Sequence, residues 1–321
     1  MTRGPTSAAW RAALAALSPA GRRARLSILI YHRVLPEPDP MRPGEPDAEH
    51  FAWQMEWVGA LFRVLPLGEA VERLRNGTLP ARAACITFDD GYADNHQVAL
   101  PILRRLGLPA TFFIATGFLD GGRMFNDTVI ESLHRVGEGE LDLTAEGLGC
   151  HRIASLEDRR AAVSAILRRI KYATLEERAR SLDQLRARLP LELPNDLMLQ
   201  SGQVSDLVRQ GMEVGAHTVN HPILSQESAA RVRAEITDSR AELTRMTGAR
   251  VNLFAYPNGR LGDDFALPHR EIVGDCDFDA AVTTHPGVAK RRTDPYLLPR
   301  FTPWDRTRQR FALRLARNLA S

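Results

Sequence analysis

The stretch Ala83-Ala84-Cys85-Ile86-Thr87-Phe88-Asp89-Asp90-Gly91-Tyr92 decides how the rest of the chain is read. Its apolar run has the length of a short buried strand, and it delivers two adjacent carboxylates to the strand's carboxyl end, where Gly91 permits a sharp turn. Neighbouring ionised carboxylates repel, so such a pair calls for a cation, a shared proton or a division of roles. Partners stand in His217-Thr218-Val219-Asn220-His221. Two imidazoles four residues apart reach one point if the segment forms a helical turn, or a tight loop held by Pro222. One carboxylate with two imidazoles is a facial ligand set that leaves positions open, the plan of a catalytic rather than a structural metal site. Successive side chains at a strand end diverge, so one aspartate should reach the metal and the other the water beside it. Zinc suits the two imidazoles, and cobalt, nickel or manganese also fit a mixed N/O site.

Strand patterns recur at 26–31, 84–89, 110–115, 213–217, 251–256 and 280–284, with helical patterns between them. The clearest helix follows Leu224, where Val232, Ile236, Leu243 and Met246 share a face and Gly248 is placed to end it. Strand-then-helix repetition implies a parallel sheet, open or closed into a barrel, with ligands at the carboxyl ends of its strands. Both motifs fall at such ends. Residues 127–198 break the alternation: 155–170 and 174–189 read as charged amphipathic helices ahead of Pro190 and Pro194, with no strand pattern. A helical insertion is expected there, following Asn126 and placed to shape access to the cleft. Residues 1–25 read as an N-terminal extension and 26–321 as one α/β domain.

The segments TFDDGY (87–92) and HTVNH (217–221) resemble the first two signature motifs of the polysaccharide deacetylase family, the NodB-homology domain of carbohydrate esterase family 4. Tyr31-His32-Arg33-Val34, Leu108-Pro109-Ala110-Thr111-Phe112-Phe113 and Phe254-Ala255-Tyr256-Pro257-Asn258-Gly259 are similar to family segments in family order, so the resemblance runs from about residue 26 to about residue 304. It implies an irregular (β/α)7-type barrel that removes N-acetyl groups from an N-acetylhexosamine polysaccharide or its precursor. By the same resemblance Asp89 is the general base, and Asp90, His217 and His221 hold a divalent metal. Tyr31-His32 is similar to a pair in the exopolysaccharide-deacetylase branch, which makes His32 the expected acid for the departing amine. His285 is the alternative, near where many members place that acid, although Val282-Thr283-Thr284-His285 lacks the expected Leu-x-His spacing.

Two further departures stand out. The family's third motif commonly carries an Arg that orients the base, and Ala255 occupies that position. Arg300 is the expected replacement, because an Arg fork holds a carboxylate in place and depresses its pKa. The fourth motif, an Asp followed by a Trp, is met only by Trp304-Asp305 in reverse order. Attack on an amide also requires donors for the developing oxyanion, for which the turns at Gly91-Tyr92 and Pro257-Asn258-Gly259 are suited. Tyr92, Asn126, Tyr256 and Asn258 are accordingly taken as oxyanion or substrate contacts. The alternatives are a related hydrolase of a small amide, formamide or cyclic ureide, and a catalytically silent carbohydrate-binding homologue.

Composition sets outer bounds. With 42 basic and 39 acidic residues the net charge is +3, too small an excess to argue for nucleic acid. No stretch approaches the ~18 uninterrupted apolar residues of a membrane span. Residues 8–17 are rich in Ala and Leu but interrupted by Trp10-Arg11, short for a signal-peptide core, and are expected to form a mature amphipathic helix or an extension. Three widely spaced cysteines do not form a disulfide framework, which with the lack of a clear signal peptide leads to an expected cytoplasmic location. Asp263-Asp264 reads as a solvated loop, and Trp53 with Trp57 as core packing.

Overall fold

The computed structural model describes residues 5–303 and 305–321, so Trp304 and the first four residues of the extension lie outside the described residues. The strands are, in order, β1 (Leu26–Tyr31), β2 (Arg63–Val64), β3 (Ala83–Phe88), β4 (Thr111–Ile114), β5 (Gly139–Leu143), β6 (Gly149–Ile153), β7 (Glu213–Ala216), β8 (Leu253–Ala255), β9 (Ala280–Pro286) and β10 (Leu298–Arg300). The runs in β1, β3 and β4 are buried at every position, as strands covered on both faces must be. Alternate side chains go opposite ways. Leu26, Ile28, Ala83, Cys85, Phe113, Leu253 and Val282 share one cluster, while Leu29, Ala84, Ile86, Phe112 and Ile114 pack with helix residues such as Phe51, Leu103 and Ile236. The first set fills the interior and the second faces the helical layer.

β1, β3, β4, β7, β8, β9 and β10 neighbour one another in that order, every pairing parallel, and β2 adds to the amino end of β3. The sheet then curls back on itself. Just past β10, the Phe301 N–H donates to Ile28 O (2.7 Å) and its carbonyl accepts from Ile30 N (3.0 Å), so the last strand meets the first. The result is the irregular (β/α)7-type barrel that the resemblance implied. β10 escaped the sequence pattern because it is three residues long with Pro299 at its centre.

Residues 127–198 hold the two expected helices, Leu156–Ile170 and Leu175–Arg188. They also hold the antiparallel hairpin β5–β6, which the sequence reading did not place. Leu141 and Leu143 alternate with charged residues, but the run is short and its apolar side is buried only because the helices cover it. Leu141, Leu143, Ile153, Ile166 and Leu185 form a separate core with Met41, from the loop after β1. At the other end of the chain, the helix Pro5–Leu17 contributes Leu14 to the main core alongside Phe311, Leu315 and Leu319 of the helix Arg308–Ala320.

At Gly215, β7 packs tightly against both of its neighbours. A Cβ added there would lie 2.5 Å from the Phe113 ring and 2.9 Å from Leu253 O. Gly215→Ala is therefore expected to destabilise the barrel by about 1–3 kcal/mol through overpacking. Thermal melting checks this, and an unchanged melting temperature would refute such tight approach of β7 to its neighbours.

Candidate active site

The two aspartates leave β3 on different paths. Asp89 remains extended and its N–H donates to Tyr31 O (3.0 Å), continuing the ladder to β1. Asp90 turns into the left-handed region at φ 77°, followed by Gly91 at φ 87°. An Asp tolerates that conformation at modest cost, and its carboxylate is thereby sent away from that of Asp89. A Cβ at position 91 would lie 3.0 Å from Ile114 Cγ2 in φ territory that L side chains rarely adopt, which explains the glycine.

Asp89 meets Arg300. The guanidinium donates from Nη1 to Oδ1 (2.7 Å) and from Nη2 to Oδ2 (2.6 Å), a two-pronged pair buried to 1% and 2% exposure. Arg300 is itself fixed through Nε to Thr283 O (2.8 Å) and through Nη1 to Thr87 Oγ1 (3.2 Å). Burial works to raise the Asp89 pKa, but Arg300 foremost, together with His217 and His32, outweighs it, so the carboxyl is held below its ordinary range and stays ionised.

Asp90 meets the histidines. Its Oδ1 lies 3.4 Å from Nε2 of both His217 and His221, buried and without an aligned hydrogen-bond partner. The ligand atoms of these three side chains all fall within 4.8 Å of one another. His217 donates from Nδ1 to Ala255 O (2.7 Å), since a carbonyl can only accept, and this turns the Nε2 lone pair toward Asp90. Burial pulls the His221 pKa down to about 3, leaving the neutral imidazole that ligates metals. For His217 burial acts in the same direction, yet Asp90 and Asp89 together raise its pKa above the ordinary value. Asp90 is held below the carboxylate range because the imidazoles, His217 foremost, outweigh the effect of its burial. One buried orphan oxygen facing two imidazole nitrogens fits a divalent cation.

The histidine loop depends on residues that the motifs did not reveal. Thr218 and His221 are left-handed (φ 65° and 50°), and Thr218 Oγ1 accepts from His221 N (3.1 Å). Glu235, buried on the helix Ala229–Thr247, accepts from Val219 N (3.0 Å), Asn220 N (2.7 Å) and Asn220 Nδ2 (2.8 Å). From the opposite side Arg178 donates to His221 O (3.0 Å) and Asn220 O (2.7 Å). A signal for both existed: Glu235 interrupts the apolar row Val232, Ile236, Leu243, and Arg178 the row Leu175, Leu182, Leu185.

A cavity of about 540 Å³ opens over the site, and Asp89, Asp90, His217 and His221 line it. His32 lines it too, its carbonyl held by Asn95 Nδ2 (2.8 Å), while Asp94 pairs with Arg33 (2.7 Å). His285 is exposed on the far end of β9 and does not line this cavity. Tyr92, Asn126 and Asn258 do. The Tyr92 hydroxyl donates to Asp127 Oδ2 (2.8 Å), and Asn126 Oδ1 and Asn258 Nδ2 are buried without protein partners. Tyr256 is placed elsewhere: it lies in the core, stacked on Phe265 at 3.8 Å, because its strand-end position turns the ring outward to the helical layer. Asp264 corrects the solvated-loop expectation, being fully buried, with Oδ2 accepting from Arg260 N (3.0 Å) and Oδ1 3.6 Å from Lys171.

A parallel barrel with an Asp–His–His cluster and an Arg-held Asp at its carboxyl end defines a class of hydrolase scaffold. The family model described as polysaccharide deacetylase matches residues 76–142 and 176–279. The chain belongs to the polysaccharide deacetylase family and is a hydrolase acting on carbon–nitrogen bonds. YxkH of Bacillus subtilis (strain 168), named as a polysaccharide deacetylase, is 23% identical over 278 residues, 86% of this chain and 71% of that protein. The fold is similar to IcaB from Ammonifex degensii (TM-score 0.59, 20% identity, covering 95% of this chain and 99% of that one). It is also similar to the deacetylase PplD of Streptococcus pyogenes (TM-score 0.57, 21% identity, 87% and 92% covered). The unmatched residues 143–175 take in β6 and the helix Leu156–Ile170.

Metal titration of the apoprotein is expected to yield one tight site that His217→Ala and Asp90→Asn weaken severely. Because the His217 pKa is raised, protons compete with metal, and affinity should fall as pH drops across the histidine range of ~8 to ~5. Affinity independent of pH would show that His217 is not a ligand. Arg300→Met keeps an apolar stem but removes the fork, so burial should push Asp89 upward and move the acidic limb of the kcat/KM profile to higher pH. An unmoved acidic limb would separate Asp89 from that titration.

Proposed function

We propose that this protein hydrolyses the N-acetyl group of an N-acetylhexosamine in a polysaccharide or its precursor, using a divalent metal, zinc foremost, held by Asp90, His217 and His221. When bound, such an ion polarises the acetyl carbonyl and lowers the pKa of water beside it toward ~7. The observation that carries the proposal is the parting of Asp89 from Asp90 within one cavity. Asp89 serves as general base: the Arg300 fork leaves one lone pair on each oxygen, and ionisation leaves the carboxylate ready to take the proton of an attacking water. Arg300 prevents the carboxylate from turning and compensates its charge in a buried setting.

His32, on the same cavity and held through its carbonyl, is assigned the proton that the departing amine requires. Asn258 Nδ2 offers an unpartnered donor for the developing oxyanion or a sugar hydroxyl, and Asn126 Oδ1 an unpartnered acceptor. A sugar presents both kinds of group, which favours a carbohydrate over a small amide. The acetate bound to PplD is the product that this reaction would release. Because an acetyl group is small, most binding energy has to come from the rest of the glycan. The wall built from Leu167, Arg168 and Lys171 of the inserted segment is placed to supply it.

Acetate release from N-acetylglucosamine oligomers is expected to exceed that from the monosaccharide, and a chelator should abolish it. Asp89→Asn should keep its metal while losing activity by on the order of 10²-fold or more. A metal-loaded wild-type enzyme that releases no acetate from any oligomer would refute the proposal. His32→Ala should retain metal and lower kcat, with a changed alkaline limb. If His285→Ala behaves so and His32→Ala is near wild type, the acid is His285.

A further inference from the structure

Beside the metal cavity lies a second groove of about 640 Å³, at the carboxyl ends of β9 and β10. Thr284 lines both, so the groove adjoins the catalytic cavity at a shared wall. Its outer side is the helix Arg308–Ala320, which buries Phe311, Ala312, Leu315 and Leu319 against the core. Arg310, Arg314 and Arg317 recur at four- and three-residue steps and therefore form one row, which lines the groove together with the exposed Leu313.

The two spaces differ in charge. In the metal cavity four cationic side chains face four carboxylates, Glu45, Asp89, Asp90 and Asp127, so its own charges balance. In the groove the carboxylate of Asp305 is taken by Arg314 at 2.6 Å, and the guanidinium of Arg300 is taken by Asp89. Arg310 and Arg317 then remain without an ionic or hydrogen-bonding partner for their side chains among the described residues. Two exposed, uncompensated guanidiniums, two helical turns apart along one wall of a concave space, favour planar anions such as carboxylate or phosphate.

Resting on the deacetylase proposal above, we infer that the glycan is acidic: the groove takes a carboxylate- or phosphate-bearing sugar unit next to the N-acetylhexosamine in the metal cavity. Arg310 and Arg317 are thus specificity-determining residues. They select among glycans and take no part in the chemical step. The ion pairs stay solvent-accessible, so they should be modest in strength and weakened by salt.

The test uses the full metal-loaded chain with oligosaccharides of matched length. One set is neutral N-acetylglucosamine; in the others N-acetylglucosamine alternates with a uronate or carries a phosphate ester. Acidic oligomers are expected to have a kcat/KM higher by roughly three- to tenfold at low salt, the scale of two exposed ion pairs, with the advantage shrinking as salt rises. The double variant Arg310→Gln/Arg317→Gln should lose that advantage and keep the wild-type value on neutral oligomers. The uronate and phosphate arms then identify which anion the groove prefers. Equal kcat/KM for acidic and neutral oligomers in the wild type overturns the inference, as does an advantage that survives in the double variant. If no oligomer releases acetate, deacetylation itself is refuted and the groove is judged by calorimetric binding of the uronate oligomer. Equal affinity of wild type and double variant overturns it in that case. Retention on anionic vesicles, lost in the double variant and with no discrimination between glycans, would assign the row to a lipid surface and overturn it too.

Discussion

The site rests on a single backbone event, the switch of Asp90 into the left-handed region one residue after β3 ends. Were both aspartates extended, alternation alone would place one carboxylate among the packed side chains outside the barrel. The switch keeps both at the cavity and parts them, one toward Arg300 and the other toward the two histidines. Each ionised carboxylate is thereby buried beside its own compensating group, without which burial would cost several kcal/mol.

That compensation ties the chemistry to closure of the barrel. Arg300 belongs to β10, and the next residue, Phe301, makes the hydrogen bonds that bring the last strand to β1. The guanidinium reaches Asp89 across the interior and is braced by Thr283 from β9 and Thr87 from β3. A barrel open at this seam would leave Asp89 buried without its cation. With the fork supplied from β10, position 255 needs no guanidinium, and its backbone carbonyl accepts from His217.

The histidine loop is secured by long-range charges of opposite sign. Glu235 holds the amide side of Val219 and Asn220, while Arg178 holds the carbonyl side of Asn220 and His221. The inserted segment therefore contributes more than a cavity wall, since one of its helices fixes the backbone that carries His221, one of the three proposed ligands. Its other helix carries Arg168, with Lys171 just past its end, to the cavity, and the separate core around Leu141, Ile153 and Ile166 keeps both helices in place. Such outer contacts usually decide how well ligands are held for a metal.

What the sequence alone determined is what local patterning can encode. Apolar runs located β1, β3, β4, β7, β8 and β9, because strands buried on both faces need no partner to be recognised. Asp90, His217 and His221 were legible because each lies in a compact motif whose residue types have few other uses together. Arg300 was nominated only by the lack of an Arg at position 255; its fork to Asp89 joins residues 211 apart and exists only once the barrel closes. Tertiary structure likewise decided that Tyr256 and Asp264 are buried, that β5–β6 forms, and that Glu235 and Arg178 face the histidine loop. None of these follows from neighbours in sequence, because burial of a polar or weakly patterned side chain depends on which distant element covers it and whether that element brings a partner.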